Sequence, residues 1–174
     1  MAIPLQKFRE IVFQMLYSFD MGHATDENML DLLTQELAVT KKIVREAQLR
    51  VHQIRSHLKE IDVMISATSR SYNFERIQSV ERNILRLGTY ELFFDPNIPA
   101  KVALAEALRL TRKFSTKEAG TFVNAILEAL FQSSQGGSVD HTQLKISTEE
   151  LEQIEKIASE AALQKKDTPT EKSE

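Results

Sequence analysis

The sequence contains no cysteine and no tryptophan, and it is poor in glycine and proline. The absence of cysteine excludes disulfide bonds, thiolate metal sites and cysteine nucleophiles. With only five glycines and four prolines among 174 residues, the chain has little material for the many tight turns of a β-sheet protein. It also lacks an apolar run of about 18 residues that would cross a membrane, and no secretion signal is recognisable. These absences favour a compact helical domain, and a cytoplasmic location is expected.

Charge is distributed unevenly along the chain. Residues 132–174 contain nine acidic and five basic residues, whereas residues 1–131 contain 17 basic and 16 acidic residues. A strong nucleic-acid-binding domain usually has a larger excess of basic residues than this nearly neutral body. Any RNA-binding site must therefore be a local basic patch.

Apolar residues recur with helical spacing through most of residues 1–131, and no segment alternates convincingly as a strand does. Pro4 suits a first-turn position of the first helix, and Gly22 is expected to end it. A third helix is predicted to run without interruption from Thr40 to Ile61 or beyond. The predicted fold class is all-α, a compact bundle of about seven helices with a flexible C-terminal tail.

Three segments are predicted along the chain. Residues 1–131 form the helical domain, and residues 132–147, which contain Gly136 and Gly137, form a flexible linker by composition. Residues 148–174 form an acidic tail. Ser147 and Glu150 have the spacing of a capping box, so residues 148–164 form either an accessory amphipathic helix or a solvated tail with transient helicity.

Three motifs indicate the family to which this domain is related. Residues 81–92 read ERNILRLGTYEL, residues 98–102 read IPAKV, and residues 122–124 read FVN. Together and in this order they resemble the signature of the NusB family, small all-helical proteins of bacterial transcription antitermination. The resemblance extends from the first helix to about Phe131. It implies a factor that binds RNA and protein rather than an enzyme, with no catalytic residue and no cofactor.

The family resemblance also implies specific partners. Members pair with the small-subunit ribosomal protein that doubles as NusE, and the pair binds the single-stranded boxA element of nascent leader RNA. This assembly joins an elongating RNA polymerase complex with other Nus factors. The family's partner surface includes the region from Phe74 to the helix that begins at Val80. The predicted partner-binding residues are Glu75, Arg76, Glu81 and Arg82, which would otherwise be exposed charges of a first helical turn.

The first helix carries a candidate RNA-binding ridge of Arg9, Phe13 and Tyr17, spaced four residues apart. A guanidinium in such a ridge binds phosphate, and the rings offer faces on which bases stack. Alternatively, the helix is buried on both faces and its aromatic residues pack on another helix. In the NusB family this helix begins with an arginine-rich, RNA-contacting segment. Lys7 and Arg9 occupy positions of that segment, and Tyr17 matches a tyrosine of the family.

Further RNA-binding residues are expected in the last two helices of the domain. The family's base-stacking phenylalanine and the acid four residues before it match Phe122 and Glu118. Ordinary core packing is the alternative interpretation of Phe122. Lys113 belongs to a basic arc that Lys117 would lengthen, and this arc either extends the RNA path or is a solvated helix face.

The first helix departs from the family in having only two basic residues, Lys7 and Arg9, where many relatives have three or more arginines. Fewer phosphate contacts lower both the affinity for RNA and its dependence on salt. The isolated chain is therefore expected to bind RNA weakly and to depend on its protein partner.

Glu91 lies within an otherwise apolar helix and needs a partner if it is buried. Lys101 is the nearest candidate partner in sequence. No second carboxylate, histidine or nucleophile has a spacing that would form a catalytic site with Glu91. The four histidines do not cluster, so no metal site is expected.

Two other functions are considered at this point. A domain of this fold also precedes RNA cytosine methyltransferases, but this chain has no cysteine, no Gly-rich nucleotide-binding unit and no room for a second domain. The alternative is a protein-interaction module that keeps the NusE surface and has weak or lost RNA binding.

Overall fold

The computed structural model describes residues 3–23, 27–69, 72–137, 149–154 and 156–161. Residues 3–23, 27–69 and 72–137 contain seven α-helices, one 3-10 helix and no strand, which confirms the prediction of an all-α bundle of about seven helices. The predicted linker residues 138–147 and the end of the tail lie outside the described residues. The elements are α1 (Leu5–Asp20), α2 (Glu27–Glu36), α3 (Lys41–Ser56), α4 (Leu58–Thr68), η1 (Phe74–Arg76), α5 (Ser79–Phe93), α6 (Ala100–Phe114) and α7 (Lys117–Ser134).

Helix α5 is the centre of the bundle, because it packs on α1, α4, α6 and α7. All residues from Asn83 to Glu91 are buried, as expected for a helix that is apolar on most sides. Gly88 lets α7 approach closely: a Cβ atom at this position would lie 2.8 Å from Cδ1 of Leu127. The core around α5 is completed by fully buried aliphatic residues of α1, α6 and α7, including Ile11, Leu110 and Ile126.

The uninterrupted third helix predicted from Thr40 to Ile61 is wrong, because α3 ends at Ser56 and α4 begins at Leu58. His57 separates them with backbone angles of φ −104° and ψ 8°. Its ring stacks on Phe94, with 4.3 Å between the ring centroids. The break lets α4 pack on α5 and α7. It depends on the contact between His57 and Phe94, which the periodicity of apolar residues within one helix cannot reveal.

Helix α7 is fixed at its start by Thr116, whose Oγ1 accepts a hydrogen bond of 3.2 Å from the backbone N–H of Ala119. This N-cap satisfies one of the unpaired amides of the first turn. The helix continues to Ser134, three residues past Phe131. Thr116 therefore determines where Lys117, Glu118 and Phe122 lie.

Residues 149–154 and 156–161 are helical, and residues 149–161 are called the C-terminal segment below. Leu151 and Ile154 are half-buried, and Leu151 packs against the hydrophobic core. A carboxylate oxygen of Glu152 lies 3.4 Å from Nη1 of Arg76. The segment thus lies against the helical body.

Within the described part of the chain, no helix combines the length and the apolar character that a membrane span requires.

Candidate nucleic-acid interface

The turn between α6 and α7 lies beside the first turn of α5. The hydroxyl of Ser115, in that turn, donates a hydrogen bond to Oε1 of Glu81. Phe114 and Ser115 are consecutive residues on one side of this junction, and Val80 and Glu81 are consecutive on the other. Two neighbouring concave surfaces meet here, and together they include three of the eight residues predicted to bind RNA, namely Phe13, Tyr17 and Phe122.

The first concave surface, the Phe122 groove, has a volume of about 210 Å³. Its floor is formed by apolar residues of the segment before η1, the loop after it and α7. The Tyr72 and Phe122 rings are tilted towards each other with centroids 5.4 Å apart. Phe122 is only 1% exposed, so core packing describes its present state. The groove residues of the body are Tyr72, Ile77, Gln78, Glu81, Ser115, Thr116, Ala119 and Phe122, and Leu151, Ile154 and Ala158 of the C-terminal segment complete the lining.

Glu81 contributes a buried carboxylate to this groove and is only 6% exposed. Its Oε2 atom has no hydrogen-bond partner within the described part of the chain. An unpaired buried acceptor is costly, and a hydrogen-bond donor of a ligand would satisfy it. The alternative interpretation of Glu81 as an exposed first-turn charge is wrong, because the turn between α6 and α7 covers it.

The second concave surface, the aromatic pocket, has a volume of about 250 Å³ and is lined by Phe13, Gln14, Tyr17, Val80 and Phe114. Phe13 is 3% exposed and lies against Phe114, with ring centroids 4.8 Å apart. The alternative predicted for the first helix, in which an aromatic residue packs on another helix, therefore describes Phe13. Tyr17 is half-buried and keeps part of its surface available to a ligand.

Arg9 lies away from both concave surfaces, on the inner side of α1. Its Nε donates a hydrogen bond of 2.7 Å to Oε1 of Glu91, and its Nη1 lies 3.8 Å from Glu106. Burial raises the pKa of Glu91 above its usual range, and the nearby Arg9 opposes this shift only in part. The prediction that Lys101 pairs with Glu91 is therefore wrong. Lys7, the other basic residue of this segment, is half-buried in the first turn of α1.

The basic arc of α6 is partly neutralised by α1. Glu10 accepts a hydrogen bond of 2.6 Å from Arg109 and another of 2.7 Å from Lys113. Burial alone would raise the pKa of Glu10, but these two partners outweigh it and lower the pKa. Lys113 remains about half exposed and lies 5.6 Å from the ring centroid of Phe114.

The first turn of α7 adds charge of both signs beside these surfaces. Lys117 is exposed, and Glu118 is half-buried. Thr116, which caps this helix, also lines the Phe122 groove. The charged residues available to RNA phosphates at this end of the molecule therefore include Lys113 and Lys117, whereas Arg9 is used inside the fold.

An ion network that the sequence did not indicate joins α1, α4 and α5. Asp20 accepts hydrogen bonds from Arg82 at 2.7 Å, from Arg86 at 3.1 Å and from Asn83 at 3.0 Å. Arg86 also makes two bonds of 2.8 Å to Asp62. Burial would raise the pKa of Asp20, but the three donors lower it overall. Arg82 therefore supports the fold in addition to any contact with a partner.

Glu75 and Arg76 are the two predicted partner-binding residues that are exposed. Asn73 holds η1 by accepting a hydrogen bond of 3.0 Å from the backbone N–H of Glu75. The guanidinium of Arg76 lies 5.2 Å from the ring centroid of Tyr72 and contacts Glu152 of the C-terminal segment. The partner surface and the Phe122 groove are thus adjacent.

Nowhere in the described ranges do three potential metal-binding side chains cluster.

The chain resembles known proteins over most of its length. The model of the NusB family matches residues 6–132. A transcription antitermination protein NusB from Chlamydia pneumoniae is 38% identical over 131 residues, which are 75% of this chain and 82% of the relative. A structure of T. maritima NusB has a TM-score of 0.64 and 29% identity, covering 83% of this chain and 99% of that chain.

A crystal structure of the antitermination factors NusB and NusE in complex with double-stranded RNA also resembles this chain. Its TM-score is 0.64 at 28% identity, covering 74% of this chain and 96% of that chain. The family match extends over most of the helical body and includes the aromatic pocket and those residues of the Phe122 groove that belong to the body. The chain therefore belongs to the NusB family.

Proposed function

We propose that this protein is a transcription antitermination factor that acts in the cytoplasm. It binds boxA-type single-stranded RNA together with the ribosomal protein NusE, and the complex joins an elongating RNA polymerase with other Nus factors. No bond is made or broken. The free energy of assembly comes from base stacking, phosphate contacts and a protein–protein interface.

The observation that carries this proposal is the junction of the Phe122 groove and the aromatic pocket. Bases need apolar or aromatic faces on which to stack, and phosphates need nearby cations. Half-buried Tyr17 provides an aromatic face, and buried Phe122 forms part of the groove beside it. Lys113 and Lys117 provide the cations. The related complex of NusB, NusE and RNA supports the assignment of both partners.

A protein-interaction module with weak or lost RNA binding is the second candidate. It is favoured by Arg9, because this residue pairs with Glu91 inside the fold and so adds nothing to a phosphate-binding surface. Exposed Glu75 and Arg76 would remain available to NusE in that case. The two candidates share the NusE interface and differ only in RNA binding.

The test is fluorescence anisotropy of a labelled boxA-type RNA titrated with the chain in the presence of NusE. Lys117→Ala should weaken RNA binding about two- to tenfold, as expected for the loss of one phosphate contact. The matched control is Lys59→Ala. Lys59 is exposed and lies near His57, which stacks on the C-terminal end of α5, roughly 20 Å along that helix from Glu81.

Equal affinities of the two lysine variants would contradict the RNA path across the start of α7. Binding of NusE without any binding of RNA would favour the protein-interaction module. Calorimetry with NusE alone distinguishes these results from a loss of folding, because both variants should bind NusE with unchanged affinity.

A further inference from the structure

The C-terminal segment completes the wall of the Phe122 groove. Leu151, Ile154 and Ala158 lie on one face of the segment, at the spacing of successive helical turns, and all three line the groove. Ile157, on another face, is 65% exposed. The described residues of the segment are therefore helical and amphipathic, and their apolar face is directed towards Tyr72, Ile77 and Phe122.

The charge of the segment matches its position. Residues 149–161 contain five glutamates and one lysine. Glu152 reaches Arg76, the exposed arginine at the edge of the groove. The carboxylates of the segment place negative charge beside this arginine, as an RNA phosphate would do at the same position. The ion pair itself is exposed and contributes little to stability, but the carboxylates repel any phosphate that approaches the same site.

The segment also encloses the groove in which a base would stack. Phe122 is 1% exposed and Tyr72 is 3% exposed while the segment is in place. The unpaired Oε2 of Glu81 lies in the same groove. A base that stacked on Phe122 would have to occupy the space that Leu151 and Ile154 now line.

We propose that the C-terminal segment closes the Phe122 groove and so acts as an internal competitor of RNA, which binds after the segment leaves. This inference rests on the proposed RNA-binding function. Binding to a protein whose competent state is only partly populated is weakened by that fraction. The segment therefore lowers the affinity for RNA and leaves the fold unchanged.

The experiment uses the full chain and two matched substitutions, Ile154→Asp and Ile157→Asp. Both replace the same residue type in the same helical segment, so they carry the same loss of helix propensity and the same added charge. Only Ile154 lines the groove. Ile154→Asp should raise the RNA affinity of the NusE complex by about three- to tenfold, as expected for undocking of one half-buried aliphatic side chain. Ile157→Asp should change it less than about twofold.

Docking is measured separately by amide hydrogen exchange without RNA. Residues 149–161 and the groove residues around η1 should exchange faster in Ile154→Asp than in Ile157→Asp. Equal exchange in the two variants would show that the apolar face does not hold the segment, and would overturn the proposal. Faster exchange in Ile154→Asp with unchanged RNA affinity would also overturn it, because the segment would then be docked without competing.

Two further outcomes separate this inference from the function on which it rests. If neither variant nor the unsubstituted protein binds RNA even with NusE, the RNA-binding function is refuted. The proposed competition between the C-terminal segment and RNA is then refuted as well. If Ile154→Asp raises the affinity for NusE, measured by calorimetry, and leaves RNA binding to the saturated complex unchanged, the segment competes with the protein partner and the inference is overturned.

Discussion

Arg9 was predicted from local sequence spacing to contact a ligand, but the structure places its side chain inside the fold. A helical wheel places it next to Phe13 and Tyr17, where an arginine would bind RNA phosphate. Its actual partner, Glu91, is 82 residues away in sequence. Since the pairing of two such distant residues is not encoded in local spacing, the sequence predicted the family segment but not the use of this side chain.

Arg9→Ala is therefore expected to destabilise the protein, whereas Lys7→Ala is not. Removing Arg9 leaves the Glu91 carboxylate buried without its partner, which should lower the free energy of unfolding by about 2–4 kcal/mol. Half-buried Lys7 has no such role, and its substitution should cost less than about 0.5 kcal/mol. Urea denaturation measures both values. Similar stability of the two variants would show that the Arg9–Glu91 pair contributes little.

Asp20 is expected to make stability depend on pH. Its pKa is lowered in the folded state, so its contribution is present above the ordinary value of about 3.8 and is lost as the pH falls through the lowered pKa. Asp20→Asn should cost about 1–3 kcal/mol near neutral pH, because three donors lose a charged acceptor. This difference from the unsubstituted protein should shrink as the solution is acidified.

The control for Asp20 is Asp31→Asn, because Asp31 forms an exposed ion pair with Lys41 at 2.7 Å. Exposed pairs contribute at most about 1 kcal/mol. Thermal unfolding of each variant at several pH values provides the comparison. A constant difference for Asp20→Asn across the acid range would contradict the ion network as its cause.

At the level of elements, the close packing of α5 and α7 depends on Gly88. Gly88→Ala gains about 1 kcal/mol of helix propensity but places a Cβ atom 2.8 Å from Leu127 Cδ1 and 3.3 Å from its Cδ2. Leu127 is fully buried and has little room to move, so overpacking should dominate and cost about 1–2 kcal/mol net.

Gly120→Ala is the matched substitution in α7. Its Cβ atom would meet only Leu108 Cδ1, at 3.2 Å, and Leu108 is half-buried and can adjust. The result should lie between no change and a gain of about 1 kcal/mol. Chemical denaturation measures the free energy of unfolding of both variants. A Gly88→Ala variant more stable than Gly120→Ala would contradict this account of α5–α7 packing.

Helices were predictable from sequence where their signals are local. Pro4, Pro99 and the capping threonines Thr40 and Thr116 lie immediately before helices. The break at His57 was missed because its ring stacks on Phe94, which lies 37 residues later in the sequence and directly follows α5. The choice between an accessory helix and a solvated tail was open for a similar reason, since the apolar face of the C-terminal segment gains its stability from the Phe122 groove.

At the scale of the whole molecule, the low net charge predicts that RNA binding depends on NusE. The nearly neutral body, together with the internal use of Arg9, gives no general attraction for nucleic acid. A basic partner would add phosphate contacts, so the RNA affinity of the complex should be markedly higher than that of the isolated chain. Tight binding by the isolated chain would contradict this argument.

The salt dependence of RNA binding provides an independent measure of the same interface. If the complex contacts about three to five phosphates of single-stranded RNA, the logarithm of its affinity should fall with the logarithm of salt concentration at a slope of roughly −2 to −3.5. Anisotropy titrations at several salt concentrations give this slope. A slope near zero would indicate that phosphate contacts contribute little.

The placement of α1 also has a consequence for protein synthesis. This helix is made before α3 and α5, which cover most of its apolar stripe, and its Arg9 pairs with a residue 82 positions later. At a translation rate of about 5–20 residues per second, Glu91 follows Arg9 after roughly 4–16 s. Ribosome-bound chains that stop before α5 should therefore expose the stripe and recruit nascent-chain chaperones until the central helix emerges.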